Sequence, residues 1–158
     1  MNMNRLHSLV IASALIGTPL ISVAGSAVAA EQPTIQSLTP AEVASGALTP
    51  EVQGGVHFVS GGIGIEERAW LASHAREFNT HLTFAVVPSG AFVADVHVQI
   101  SDAAGKHVLD ATANGPQMFV QLPEGRYQVV ATHDGQAITR ALVVTGKRSE
   151  QVTFGFKK

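Results

Sequence analysis

The sequence predicts an α+β chain, mainly β, in which a seven-stranded antiparallel sandwich follows a short strand and an amphipathic helix. Three observations carry that expectation. From His81 to Phe156 apolar residues return at every second position, the period of a strand with one buried face. Dipeptides suited to tight turns, or close to them, separate the runs: Ala104-Gly105, Asn114-Gly115 and Asp134-Gly135. Between Ile65 and Phe78 the spacing changes to three and four, the mark of one apolar helix face. A length of 158 residues suits one core, and 46% hydrophobic with only 14% charged residues argues against disorder.

The first thirty residues read as an address. Arg5 and His7 make a short, weakly basic start, and Leu9 to Ile16 is an apolar run broken by Gly17 and Pro19. Small residues then lead to Ala27-Val28-Ala29-Ala30, with acidic Glu31 just beyond. That is the layout of a secretory signal peptide, whereas a membrane span needs roughly 20 consecutive apolar residues. Cleavage is expected after Ala30, with Ala29 as the alternative, leaving 128 of the 158 residues. The mature chain is then expected in the periplasm with no membrane span. It has no cysteine, hence no lipid attachment point and no disulfide, so burial must stabilise it.

Residues 31–55 hold Pro33, Pro40 and Pro50 among Gln, Ser, Thr and Gly, and read as an irregular lead or linker. Within it Thr39-Pro40-Ala41-Glu42 is a capping box with proline at the first helical position, enough for one or two turns ending at Gly46. Residues 56–79 form the next unit: a strand over Val56 to Val59, a turn over Gly61 to Gly64, and a helix over Ile65 to Phe78. Trp70, Leu71, His74, Ala75 and Phe78 make its apolar face. Glu66 and Glu67 complement the positive end of the helix dipole, and Asn79 terminates the helix.

The sandwich is expected over residues 80–158. Its alternating runs are Leu82, Phe84 and Val86; Val96, Val98 and Ile100; Met118, Val120 and Leu122; Tyr127, Val129 and Ala131; and Val152, Phe154 and Phe156. Phe119, Val130, Ala141 and Val143 add apolar side chains on the opposite faces. A second apolar face needs a cover, so the Trp70/Leu71/Phe78 side of the helix is expected to pack there. A transmembrane barrel would need at least ~8 strands of about 9–11 residues, which this pattern does not supply.

One stretch carries a specific resemblance. Asp95 to Ile100 alternates, Asp102-Ala103-Ala104-Gly105 makes a D-x-x-G turn, and Leu122-Pro123-Glu124-Gly125-Arg126-Tyr127-Gln128-Val129 follows after a hairpin. Asp95 to Ala131 thereby resembles the carboxypeptidase regulatory-like domain, a family with the transthyretin-like (prealbumin) sandwich fold. With flanking strands the likeness covers about half the chain. Val56 to Phe84 also resembles a segment of small exported bacterial proteins bearing this domain. The resemblance implies a transthyretin/Ig-like sandwich. Its core motif is architectural: Leu122 points inward, Pro123 stops the ladder, Gly125 allows a corner, and Tyr127 reaches backbone with its hydroxyl, a tyrosine corner. The hydroxyisourate hydrolases of this fold group end in Tyr-Arg-Gly-Ser, which Gly155-Phe156-Lys157-Lys158 does not match. Intradiol dioxygenases hold iron with two tyrosines and two histidines, and this sequence has one tyrosine.

Few residues promise chemistry. Six histidines follow the leader: His57, His74, His81, His97, His107 and His133. His97 and His107, with Asp95 and Asp110 as oxygen donors, are the weak candidates for a metal, since the hairpin brings them to one side. No H-x-x-x-H or C-x-x-C spacing supports that set. Gly62 and Gly64 lack the third glycine and the βαβ unit of a dinucleotide loop. Adjacent Glu66 and Glu67 diverge on a helix and cannot face one another as an acid/base pair. Ser60, Ser73, Ser89, Ser101 and Ser149 lack a G-x-S-x-G setting. For a glycan, Trp70 and Phe92 are the available aromatic platforms.

Ten Lys and Arg against twelve Asp and Glu give a formal charge of −2 and no basic stripe, so nucleic acid is excluded as a partner. Lys147, Arg148, Lys157 and Lys158 read as a solvated rim that discourages edge aggregation. The expectation is a non-enzymatic exported binding or accessory module without a cofactor, its partner an envelope protein or polymer, with a role in envelope assembly. The alternatives are a histidine metal-binding protein and a glycan-binding module.

Overall fold

Alternation along the strands decides the architecture. The computed structural model describes residues 34–158, so the expected signal peptide and its cleavage site lie outside the described residues. Nine strands form two sheets. The five-stranded sheet has the order β1 (Glu51–Gln53), β2 (Val56–Gly61), β6 (Gln117–Gln121), β3 (Thr80–Val87) and β9 (Glu150–Lys157). The four-stranded sheet runs β5 (His107–Ala113), β4 (Val96–Asp102), β7 (Gly125–His133) and β8 (Gln136–Val144). Their inner faces meet in one apolar core that includes Phe58, Leu82, Phe84, Val98, Ile100, Met118, Val129 and Phe154.

The mainly-β sandwich stands as expected, with three differences. There are nine strands rather than seven, because β1 and β2 join the sheet instead of preceding it. One pairing is parallel: β9 lies along β3 from Thr80↔Glu150 to Val87↔Lys157. Asn114-Gly115 closes no hairpin, since β5 and β6 belong to different sheets. Glycine is required there for closeness rather than for a turn, because a side-chain carbon on Gly115 would collide with the Gly61 backbone. Asp134-Gly135 is the expected tight turn, with φ of 48° and 75°.

The outer face of the five-stranded sheet is covered as its pattern requires. In β2 and β6, Val59 and Phe119 point away from the main core and join Trp70, Leu71 and Phe78 in a second buried cluster. Burying each such Leu or Phe contributes about 1.5–3 kcal/mol. Helix α2 (Ile65–His74) is shorter than the spacing predicts; Ala75–Glu77 tightens into a 3-10 turn and Phe78 is extended. The cover reaches only one sheet. Val130, Ala141 and Val143 lie on the other, and Val143 stays 51% exposed.

The lead is more than a linker. Thr39 caps α1 (Pro40–Ser45): its hydroxyl accepts from the Glu42 amide, and the Glu42 carboxylate accepts from the Thr39 amide at 2.7 Å. Those bonds from Thr39, its backbone amide first, hold the Glu42 carboxyl below its ordinary range. Val43 and Leu48 pack on the second cluster, and Gly46 has no side chain because one would strike the Glu66 backbone. The glycine turn before α2 is laced by its neighbours: Gly62 and Ile63 amides donate to Glu67 Oε2, and Arg68 donates to both carbonyls. Gly62 has a left-handed φ of 95°, and a side-chain carbon on Gly61 would strike Leu48, so this turn needs both glycines. No helix among the described residues is long and apolar enough to cross a membrane.

Candidate functional site

The side chains with chemical capacity gather on the outer face of the β4–β5 hairpin. Inward Val96, Val98 and Ile100 leave His97, Gln99 and Ser101 pointing outward. Opposite them stands Asp110. His97 Nε2 and Asp110 Oδ1 are 2.6 Å apart, and Gln99 Nε2 donates to Asp110 Oδ2 at 2.8 Å. Asp110 therefore has both oxygens engaged. The Gln99 bond first, then His97, hold its carboxyl below the usual aspartate range.

Of the four weak metal candidates, the structure joins two. His107 Nδ1 faces Ser101 Oγ at 3.3 Å, and Asp95 is an exposed residue at φ 56° leading into β4. His97 is registered against Thr112, whereas His107 lies opposite Ser101, four positions further along β4, so His107 does not line up with His97. Among the described residues no three His, Cys, Asp or Glu side chains converge as a cation cage. A second constraint escaped the sequence: Gln53 donates to the Asp110 carbonyl at 3.0 Å and accepts from its amide at 2.6 Å. Nothing in the spacing announces that contact, because 57 residues separate the pair.

The pieces of a hydrolytic relay are present but divided. His97 has a carboxylate and no hydroxyl on it, while Ser101 and His107 have no carboxylate behind them. Ser73 Oγ lies 2.9 Å from His74 Nδ1, but it donates to the Trp70 carbonyl, which His74 Nδ1 also approaches at 2.9 Å. A nucleophile needs base and orienting acid in one chain of bonds.

The remaining histidines are structural or solvated. His81 lies with its ring stacked on Phe119 at 4.0 Å, and its Nε2 sits 3.0 Å and 3.2 Å from the Ala75 and Phe78 carbonyls. Two acceptors require that Nε2 carry the proton, so His81 ties the end of the helical segment to the sheet. Trp70 is 8% exposed and stacked on His74 at 3.9 Å, which removes it as an open glycan platform. Phe92 is 58% exposed and lines a shallow recess of about 230 Å³ with Ile63 and Pro116.

Leu122 is buried and the Tyr127 hydroxyl donates to the Pro123 carbonyl at 2.9 Å, as the corner motif implies. Burial, then Asp102, pushes the Tyr127 phenol above its ordinary value, which keeps it a donor. Gly125 is not forced: its φ is not left-handed, and an added carbon would touch the Tyr127 ring at an ordinary 3.5 Å. Tyr127→Phe should cost about 1 kcal/mol in urea unfolding, the worth of one such bond.

The Asp110 carboxyl also makes a prediction. Its folded value is depressed, so its stabilisation is present above the ordinary aspartate range and lost as pH falls through the lower folded value. The melting-temperature gap between the wild type and Asp110→Asn should shrink on acidification. The stability difference behind it should stay within about 1 kcal/mol, because both partners are half-exposed and screened.

No family model matches the chain, and neither does any curated protein. Among solved structures it is similar to Klebsiella pneumoniae 5-hydroxyisourate hydrolase, at 15% identity and TM-score 0.40, over 49% of this chain and 88% of that one. It is also similar to the major pilin subunit of Bacillus cereus, at 14% identity and TM-score 0.37, over 49% of this chain and 28% of that one.

Proposed function

We propose that this chain is a non-enzymatic binding or accessory module exported to the periplasm, acting in envelope assembly through its sheet surfaces. The observation that carries the reading is the division of the relay. The His97–Asp110 pair and the Ser101–His107 pair occupy one hairpin without meeting, and both lie on an open sheet face. An open face offers no water-excluded pocket in which an oxyanion could be stabilised. The leader-like Met1 to Ala30 supports export.

The test begins with the full sequence expressed in a bacterial host and fractionated by osmotic shock. A shock-released chain starting at Glu31 is expected; an unprocessed cytoplasmic chain overturns export. The purified protein should show no turnover of chromogenic esters or of 5-hydroxyisourate. Turnover abolished by His97→Ala would establish an enzyme and overturn the non-enzymatic reading.

A further inference from the structure

β8 and β9 follow one another along the chain yet end different sheets, and each has a single partner strand. Where β8 begins, the Gln136 side-chain oxygen accepts from the Lys157 amide at 2.9 Å and holds the two edges together. Toward the connecting loop, residues 145–149, they part. The gap is a groove of about 590 Å³ between Ala141–Val143 on one wall and Glu150–Val152 on the other. Lys147 and Arg148 stand at its mouth.

This edge differs from those of β1 and β5. β1 has three residues. β5 is plugged at Asp110, where the Gln53 amide occupies both the outward N–H and the outward carbonyl. β8 keeps nine residues. Its tight turn makes His133↔Gln136 a hydrogen-bonded pair, so alternation turns the backbone groups of Ala137, Thr139, Ala141 and Val143 outward, unpaired within the sheet.

Charge distinguishes the part of the chain that carries this edge. Six of the nine Lys and Arg between residues 34 and 158 are Arg126, Arg140, Lys147, Arg148, Lys157 and Lys158. Residues 125–158 hold these six against two acidic side chains, a formal +4; residues 34–124 hold three against nine, a formal −6. The basic rim is thus wider than the four residues at the chain's end suggest; two carboxylates stand beside it, Glu124 against Gly146 and Glu150 at 3.5 Å from Arg148, which stays 81% exposed.

We propose that the β8 edge and its groove receive an extended acidic segment of a partner protein, added as a further strand. Its backbone would pair with the outward groups of β8. Small apolar side chains at alternate positions would enter the groove beside Val143, and carboxylates would meet Arg126, Lys147 and Arg148. This deepens the binding-module reading by naming the partner's chemistry, and rests on it.

The test uses protein purified from cells expressing the full sequence, and labelled peptides of about ten residues, enough to span β8. Fluorescence anisotropy compares alternating Glu-Val, alternating Lys-Val, and Glu-Val interrupted by prolines. Only the first should bind. Ala141→Pro removes an outward donor on an edge strand and should weaken binding at least about tenfold with the melting temperature kept. Lys147→Glu with Arg148→Glu should reverse the preference from Glu-Val to Lys-Val. No binding, equal binding of acidic and basic peptides, or indifference to both variants overturns the proposal. So does self-association abolished by Ala141→Pro, which would make a second copy the occupant. Equal binding of polyphosphate, unaffected by Ala141→Pro, would reduce the corner to an ion-exchange surface. None of these failures alters the export and turnover results, so the two readings fail separately.

Discussion

Replacing Phe154 with alanine should lower stability by about 3–5 kcal/mol, the range for emptying a buried aromatic site. Phe154 is wholly buried on β9, level with the equally buried Phe84 on β3, and their ring centroids lie 5.8 Å apart. Both rings fill the space between the sheets, so neither can be replaced by water without opening the main core. For a domain of this size the loss corresponds to a fall in melting temperature of about 10–20 °C. Phe154→Leu keeps most of the volume and should cost less than half as much. Urea unfolding with an unchanged slope is the check. A cost below about 1 kcal/mol would mean that β9 is a peripheral ribbon rather than a wall of the core.

That pairing also marks the limit of what local pattern can disclose. Val152, Phe154 and Phe156 alternate, so the strand and its inward face are legible. Its neighbour is not: β9 meets β3 seventy residues upstream, Thr80 beside Glu150, and period-two patterning is the same for parallel and antiparallel partners. The covering helix was legible because Phe119, between Met118 and Val120, demanded an apolar partner. Val130, Ala141 and Val143 make the same demand in sequence and remain uncovered: Ala141 and Val143 stand exposed on the edge strand β8, and Val130 on β7 is only partly buried. At the site, alternation turned His97 outward and offered Asp110 as one of several partners beside His107 and Asp95; it did not single out that pair, nor bring in Gln99 or Gln53, whose amides complete the arrangement. Polar side chains of that length reach partners that spacing cannot anticipate. His107 failed to join the set because it enters β5 opposite Ser101, at the turn end of the hairpin, four positions from His97.

Asn79 shows most clearly how a local signal understates a residue. As a helix terminator it would tolerate many replacements. In the fold its side chain joins two elements 43 residues apart: Nδ2 donates to the Leu122 carbonyl at 2.7 Å, and Oδ1 accepts from the Leu122 amide at 3.0 Å. Its own carbonyl accepts from the Glu150 amide at 2.8 Å, where β9 begins. Asn79→Ala leaves both polar groups of a buried leucine without partners, at about 1–3 kcal/mol for each unsatisfied group. A total near 2–4 kcal/mol is expected, more than removing a contact of the same size from an exposed turn. Asn79→Asp separates the two bonds. The carboxylate still accepts from the Leu122 amide but faces its carbonyl, whereas the protonated acid can donate to it. Such a group has a raised folded value, so its stabilisation is present at low pH and is lost as pH rises through that value. The aspartate variant should therefore approach wild-type stability on acidification, and the alanine variant should not. If both variants lost little at every pH, Leu122 would be satisfied by water, and the joint between the helical segment and the sandwich would rest on packing alone.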